Sequence, residues 1–325
     1  MSEKLSIKDS ITFVEETIAN LNLDNTSDQD IKDYHKCSKA LRLPFISENT
    51  PDSYLAVFGG RPGMGTTTYC LHIIIENSLK GLNKNPKNCL AYFLADEKKE
   101  IVKRLFNIIS ANNLDDLQRA FLKKEKPIGN EKKSIVNRSK HAINELHNLN
   151  LSVGGILSKN IEQAKDTIIA EALASKAQYI IIDGIGMLTG YSNTDDFNPY
   201  HHLPVVSNNG QYIKMLHELK TYLRIPIVYT AKLGHMLELR GGDKRPYMSD
   251  FENHAIENYS DIVHILHRPG YFGFMEDEFG NDISDLLEIS CLKSKFFPTG
   301  IYQARFDAKI PCFVEEIPNY IVEGS

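Results

Sequence analysis

The sequence predicts an α/β fold: a mostly parallel sheet with helices on both faces. Three observations predict it. Apolar runs of strand length recur after Tyr54, at 55–58, 89–94, 151–153, 179–182, 225–230, 261–266 and 286–292. Helical patterns separate the earlier runs, and strand alternating with helix is the signature of βαβ units. The runs are also nearly continuous in apolar character (LAVF, YIII, IPIVYT), which is how strands buried on both faces read.

Taken in order, residues 1–50 read as a helical arm or linker, 51–315 as one large domain and 316–325 as a tail. In the arm, Ile11, Val14, Ile18 and Leu21 repeat at helical spacing, predicting an amphipathic helix over 8–22. The polar DNTSDQD follows, then a second short helix through Ile31–Leu41. So small a segment is expected to pack on the main body or on a neighbouring subunit. Within the domain, Asn160 with Gln163 three residues on opens a helix carrying Ile161, Ala164, Ile168 and Ala172. Another carries Tyr212, Met215, Leu216, Leu219 and Leu223. Two stretches break the alternation. Residues 123–140 are lysine-rich with interspersed glutamates and read as a solvated face, or as a contact to a phosphate backbone. Residues 190–210 form a long polar loop in which the adjacent His201 and His202 do not make a metal pair.

Composition excludes several classes. With 325 residues, 42% hydrophobic and 24% charged, the chain has the profile of a globular protein. No apolar run approaches the roughly 20 residues needed to span a bilayer. The start, MSEKLSIKDS, lacks a signal-peptide core, so a cytoplasmic protein is expected. The cysteines Cys37, Cys70, Cys89, Cys291 and Cys312 are scattered without a CxxC pair, arguing against a zinc site or a disulfide framework. A net charge of −5 gives no global attraction to nucleic acid, so such binding would need a local patch or an assembly.

The strongest chemical signal is Gly60-Arg61-Pro62-Gly63-Met64-Gly65-Thr66-Thr67, between the first strand and an apolar helical run. In that context backbone N–H groups and a helix N-terminus converge on one anion-sized nest, the context of a P-loop. Thr67 stands where the Mg²⁺-binding hydroxyl belongs. The pattern G-x-x-x-x-G-K-[ST] requires lysine where this chain has Thr66. By itself the loop also fits a glycine turn that holds no ligand. A second apolar strand, Ile180-Ile181-Ile182-Asp183, ends in a carboxylate of the kind that holds Mg²⁺ through water.

With these two motifs, six ordered blocks over about residues 54–307 resemble the RecA-like motor domain of DnaB-type replicative helicases. They are the glycine loop, Ile182-Asp183-Gly-Ile-Gly-Met-Leu188, Asp243-Lys-Arg-Pro-Tyr-Met-Ser-Asp250, Ala255-Ile-Glu257 with Asp261-Ile-Val-His, Arg268-Pro-Gly-Tyr-Phe272, and Lys293-Ser-Lys-Phe-Phe-Pro-Thr-Gly300. The resemblance implies a RecA-like P-loop NTPase core using ATP and Mg²⁺, in a homo-oligomeric ring around single-stranded DNA, with each site completed by a neighbour. It implies nucleotide contacts from Gly60, Gly63, Gly65, Thr66 and Thr67, and Mg²⁺ contacts from Thr67 and Asp183. The catalytic carboxylate is either Asp96 or Glu97. By the same resemblance, Lys293 and Lys295 would be the basic pair reaching into the next subunit's site. Asp250, Glu252, Asn253 and His254 occupy the DNA-facing loop.

The chain departs from that pattern at Thr66, at Lys295 where an arginine is usual, and at Lys232 where a phosphate-sensing glutamine is usual. It departs again in the DNA-facing loop, where a carboxylate stands in place of arginine. Lys232 is therefore a candidate nucleotide contact, an ammonium arriving from a neighbouring strand, or else a solvent-reaching residue at a strand end. Hydrolysis is expected to be weak or lost. The competing expectation is a non-catalytic RecA-like subunit that binds a protein partner or regulates or loads a true helicase. A small-molecule phosphotransferase would leave the RPYMSD and FPTG blocks without a role.

Overall fold

The computed structural model describes residues 5–20, 51–80, 85–122, 130–188, 209–251, 253–308 and 312–316. The expected second arm helix, the lysines at 123–126, the loop with His201 and His202, and Glu252 lie outside the described residues.

Among the described residues, nine strands form one sheet in the order β3-β2-β4-β5-β1-β6-β7-β8-β9. They are β1 (Leu55–Gly60), β2 (Cys89–Phe93), β3 (Leu151–Val153), β4 (Tyr179–Asp183), β5 (Ile227–Lys232), β6 (Ile262–His267), β7 (Leu286–Ser294), β8 (Gly300–Asp307) and β9 (Cys312–Glu316). The first six in spatial order run parallel. From β6 onward the pairing turns antiparallel. The seven apolar runs correspond to β1–β7, whereas β8 and β9 add an antiparallel edge the runs do not announce. Within β8, Ile301, Gln303, Arg305 and Asp307 alternate with Tyr302, Ala304 and Phe306. That is the two-residue period of a half-buried strand, not a continuous run.

Alternation sorts the core onto two faces. On one, Ala56, Phe58, Ala91, Ile181 and Val228 pack under α2 (Thr66–Ile74), α3 (Lys98–Ser110) and α5 (Asn130–His147). On the other, Leu55, Val57, Leu90, Ile180, Ile182, Ile227 and Tyr229 pack under α6 (Ile161–Ser175) and α7 (Asn209–Leu223). α4 (Leu114–Leu122) lies beside α3. The expected cap forms: Asn160 Oδ1 accepts the Gln163 N–H at 3.1 Å, satisfying a donor the helix start leaves open.

α1 (Lys8–Asn20) packs on this chain's own body against α3 and α5. Ile7, just before it, and Ile11 and Val14 join the core of the first face. Ile18 packs against that core, and Glu15 Oε1 lies 2.8 Å from His147 Nε2. No helix among the described residues is long and apolar enough to cross a membrane.

Candidate functional site

Strand β1 delivers the chain to the glycine loop at the C-terminal end of the parallel strands, where ligand crevices form in open α/β sheets. Gly63 and Gly65 have φ of 85° and 95°, a region that L side chains with a Cβ rarely adopt. Side chains also crowd both positions. A Cβ on Gly63 would meet Tyr271 Cε2 at 2.8 Å, and one on Gly65 would meet Phe306 Cε2 at 3.2 Å. Gly65 ends the loop, and the Tyr69 N–H donates back to its carbonyl at 2.8 Å. Thr66 starts α2, its methyl 2.9 Å from where a Gly60 Cβ would stand.

Thr67 and Asp183 are joined directly. The Thr67 hydroxyl donates to Asp183 Oδ2 at 2.7 Å, and the Thr230 hydroxyl donates to Oδ1 at 2.6 Å. Thr230 in turn accepts the Gly184 N–H at 2.7 Å, which fixes the turn after β4. Burial pushes the Asp183 carboxyl above its usual range; the two hydroxyls and Arg104 oppose the rise, and Asp96 adds to it. A hydroxyl and a carboxylate are hard oxygen donors of the kind Mg²⁺ takes. The donor set and the glycine cradle thus fit a metal-bound polyphosphate.

The two acidic candidates at the end of β2 diverge. Asp96 is half-buried, close enough to Asp183 to raise it, and takes the Arg104 guanidinium at 3.2 Å. Glu97 is exposed at the start of α3 and lines a separate hollow with Phe13, Lys103 and Leu114. Lys232 ends β5, is exposed, and pairs in register with Gly60.

Lys293 and Lys295 lie far from this loop within the chain. Lys293 pairs with Val263, near the start of β6, while Arg268 beside the loop follows the end of that strand. Five residues of strand separate the two ends by about 17 Å. Lys293 Nζ donates to the Glu257 carbonyl, and Lys295 Nζ to Asp261 Oδ1 at 2.6 Å.

The expected DNA-facing loop sits at the same end of the sheet as the glycine loop but on the face opposite α2. Phe251 is buried in the second core, and Leu233 bridges to it. Asp250 is turned inward, accepting from Arg240 and from the Tyr247 N–H. Asn253 Oδ1 accepts the Ala255 N–H at 2.9 Å, and His254 is exposed just before the short α9 (Ala255–Tyr259), which follows α8 (Met236–Leu239).

Sequence reasoning missed Thr230 and the group flanking the loop on its other side. Arg268 donates to the Gly63 carbonyl at 3.0 Å, and its guanidinium carbon lies 4.0 Å from the Phe306 ring centroid. The RPGYF block carries the signal for Arg268 and Tyr271, whereas Phe306 lies in β8, which no apolar run announces.

The profile of the DnaB-like helicase C-terminal domain matches residues 46–315. The chain belongs to the DnaB-like helicase C-terminal domain family. Relatives of this DnaB-like chain include a "Probable replicative DNA helicase" of Trieres chinensis, 25% identical over 276 residues, covering 85% of this chain and 56% of that protein. Another is the "Replicative DNA helicase DnaB" of Rickettsia bellii (strain RML369-C), 21% identical over 294 residues, covering 83% and 55%. The chain spans about half the length of these curated relatives. Among solved structures, one of an ATPase domain superimposes with a TM-score of 0.64 at 20% identity, covering 95% of this chain and 98% of that one. A DnaB-like replicative helicase described with its interactions with primase gives 0.62 at 18% identity, covering 95% and 76%. These likenesses establish the RecA-like fold for the DnaB-like chain.

Proposed function

We propose that this chain is the nucleotide-binding domain of a DnaB-like replicative helicase. It takes ATP with Mg²⁺ at the 60–67 loop and acts on DNA in replication. The observation that carries the reading is the Thr67–Asp183 contact at the mouth of the glycine loop, in a chain of this family. Gly60, Gly63, Gly65 and Thr66 cradle the phosphates, and Thr67 and Asp183 hold the metal, which when bound neutralises phosphate charge. Asp96, nearer Asp183 than Glu97 is, orients the attacking water. Its ion pair with Arg104 and the missing loop lysine make hydrolysis slow.

Lys293 and Lys295, at the far end of the sheet, serve another copy's site in a homo-oligomeric ring. Asn253 and His254 face single-stranded DNA. ATP binding by calorimetry with Mg²⁺, paired with ATPase assays with and without single-stranded DNA, tests the reading. Binding with slow turnover is expected. No binding at millimolar ATP overturns it, and brisk DNA-stimulated turnover overturns the slow-hydrolysis part. Light scattering with and without nucleotide tests the ring, which a monomer at all concentrations would exclude.

The Asp96–Arg104 pair also favours a second reading: a non-catalytic RecA-like subunit that regulates or loads a true helicase. Its mark would be nucleotide binding with no turnover, even after Arg104→Ala frees Asp96.

A further inference from the structure

We propose that Lys232 supplies the phosphate-binding cation that the loop lacks at Thr66; this inference rests on the nucleotide-binding reading above. Successive side chains of a strand point to opposite faces, and the two cores record that alternation strand by strand. On β4, Ile181 packs on the α2 face and Ile180 and Ile182 on the other, so Asp183 faces α2. On β5, Val228 packs on the α2 face while Ile227, Tyr229 and Ala231 pack on the other. Thr230 and Lys232 therefore face α2, and Thr230 does meet Asp183.

On β1, Phe58 is on the α2 face, so Gly60 is too, and the Thr66 methyl covers it. Gly60 and Lys232 are register partners, one strand spacing of about 4.8 Å apart. The Lys232 stem thus rises beside Thr66, on the face where Thr67 meets Asp183.

Among the described residues, Arg61, Arg268 and Arg104, the arginines around the loop, are committed. Arg61 bonds Glu238 and the Leu233 carbonyl. Arg268 bonds the Gly63 carbonyl and covers Phe306, and Arg104 holds Asp96. Lys232 is exposed and forms no ion pair among the described residues. A lysine is a compact charge on a flexible four-carbon stem, so it can bring its ammonium to the phosphates from the neighbouring strand.

Calorimetric titration with Mg²⁺-ATP, and with inorganic tripolyphosphate as a probe without a base, tests the assignment. The proteins compared are the unaltered chain, Lys232→Met, Thr66→Lys and the double variant. Lys232→Met is expected to weaken both ligands about ten- to a hundredfold, the scale of a charged hydrogen bond. Thr66→Lys is expected to restore them in the double variant. Lys232→Gln gives a second neutral replacement, and near-UV circular dichroism verifies that each variant keeps its packing. Unchanged affinity in both neutral variants overturns the role of Lys232 and leaves the nucleotide reading intact. An unaltered chain that binds neither probe overturns the nucleotide reading and the role of Lys232 together, even where Thr66→Lys binds both. Failure of all the proteins to bind overturns the nucleotide reading and the role of Lys232 together.

Discussion

Arg245 grips Glu288 with both prongs of its guanidinium, Nε to Oε2 at 2.8 Å and a terminal nitrogen to Oε1 at 2.7 Å. Glu288 is 1% exposed, in the middle of the antiparallel edge, and Arg245 comes from the long segment after β5. The pair therefore ties the Asp243–Asp250 block to the sheet. Arg245→Met strands a buried carboxylate and is expected to cost about 3 kcal/mol, the low end for a broken buried pair because the arginine is partly exposed. Arg245→Met with Glu288→Leu is expected to recover at least half of that loss in urea unfolding. No recovery would mean that the arginine stem, and not the pair, carries the stability.

Asp261 gathers Lys220, Lys295 and the Leu55 N–H on one carboxylate. Burial pushes its carboxyl up, but the two ammonium groups and the amide outweigh this and hold it below the usual range. A depressed carboxylate contributes stability above its unfolded pKa of about 3.9, and that contribution is lost as pH falls further. Lys220→Met, removing the buried partner, is expected to cost about 3 kcal/mol. Lys295→Met, removing the half-exposed one, is expected to cost less than about 1 kcal/mol. Equal losses in denaturant titrations would contradict this ranking.

His264 stacks on Phe58 in the core, and burial pushes its pKa down to about 3. The unfolded chain then binds a proton that the folded one refuses, so stability falls as pH drops from about 6.5 toward 3. The slope from this residue is about 1.4 kcal/mol per pH unit. His267, depressed by its own burial, adds to it. His264→Phe is expected to flatten the acid limb of stability against pH, and an unchanged limb would refute its origin here.

Asp183 works the other way. Burial raises its pKa, so the ionised form is a burden on the fold that grows as pH rises through that pKa. Asp183→Asn is expected to leave the ligand-free protein as stable or more stable by about 1 kcal/mol. The same change is expected to abolish the Mg²⁺-dependent part of nucleotide binding. A variant that unfolds at lower temperature would show that the carboxylate serves structure first.

Legibility in the sequence followed locality. The buried strands announced themselves because LAVF and YIII are apolar on both faces, and the glycine loop because its spacing is contiguous. β8 escaped because only alternate residues face the core, and Phe306 went with it. Asp183 was visible at its strand end, but its tie to Thr230 depends on which strand lies beside β4. The choice between Asp96 and Glu97 could not be read from adjacent letters. Asp96 turns toward Asp183 and Glu97 toward the hollow beside α1, a difference set by the start of α3. Nor could the sequence say that Lys293 and Lys295 sit at the far end of the sheet, since that follows from β7 running against β6.

That reversal has an arithmetical consequence. The loop and the two lysines occupy opposite poles of one chain, so copies that join pole to pole repeat head to tail, closing into a ring or growing as an open stack. A closed set of copies has as many junctions as members, and an open stack has one fewer. In the proposed ring, a copy damaged at its loop would silence its own junction, and a copy damaged at Lys295 would silence its neighbour's. Mixing the two kinds in known proportions would therefore leave a fraction of sound junctions that counts which pole each copy lends.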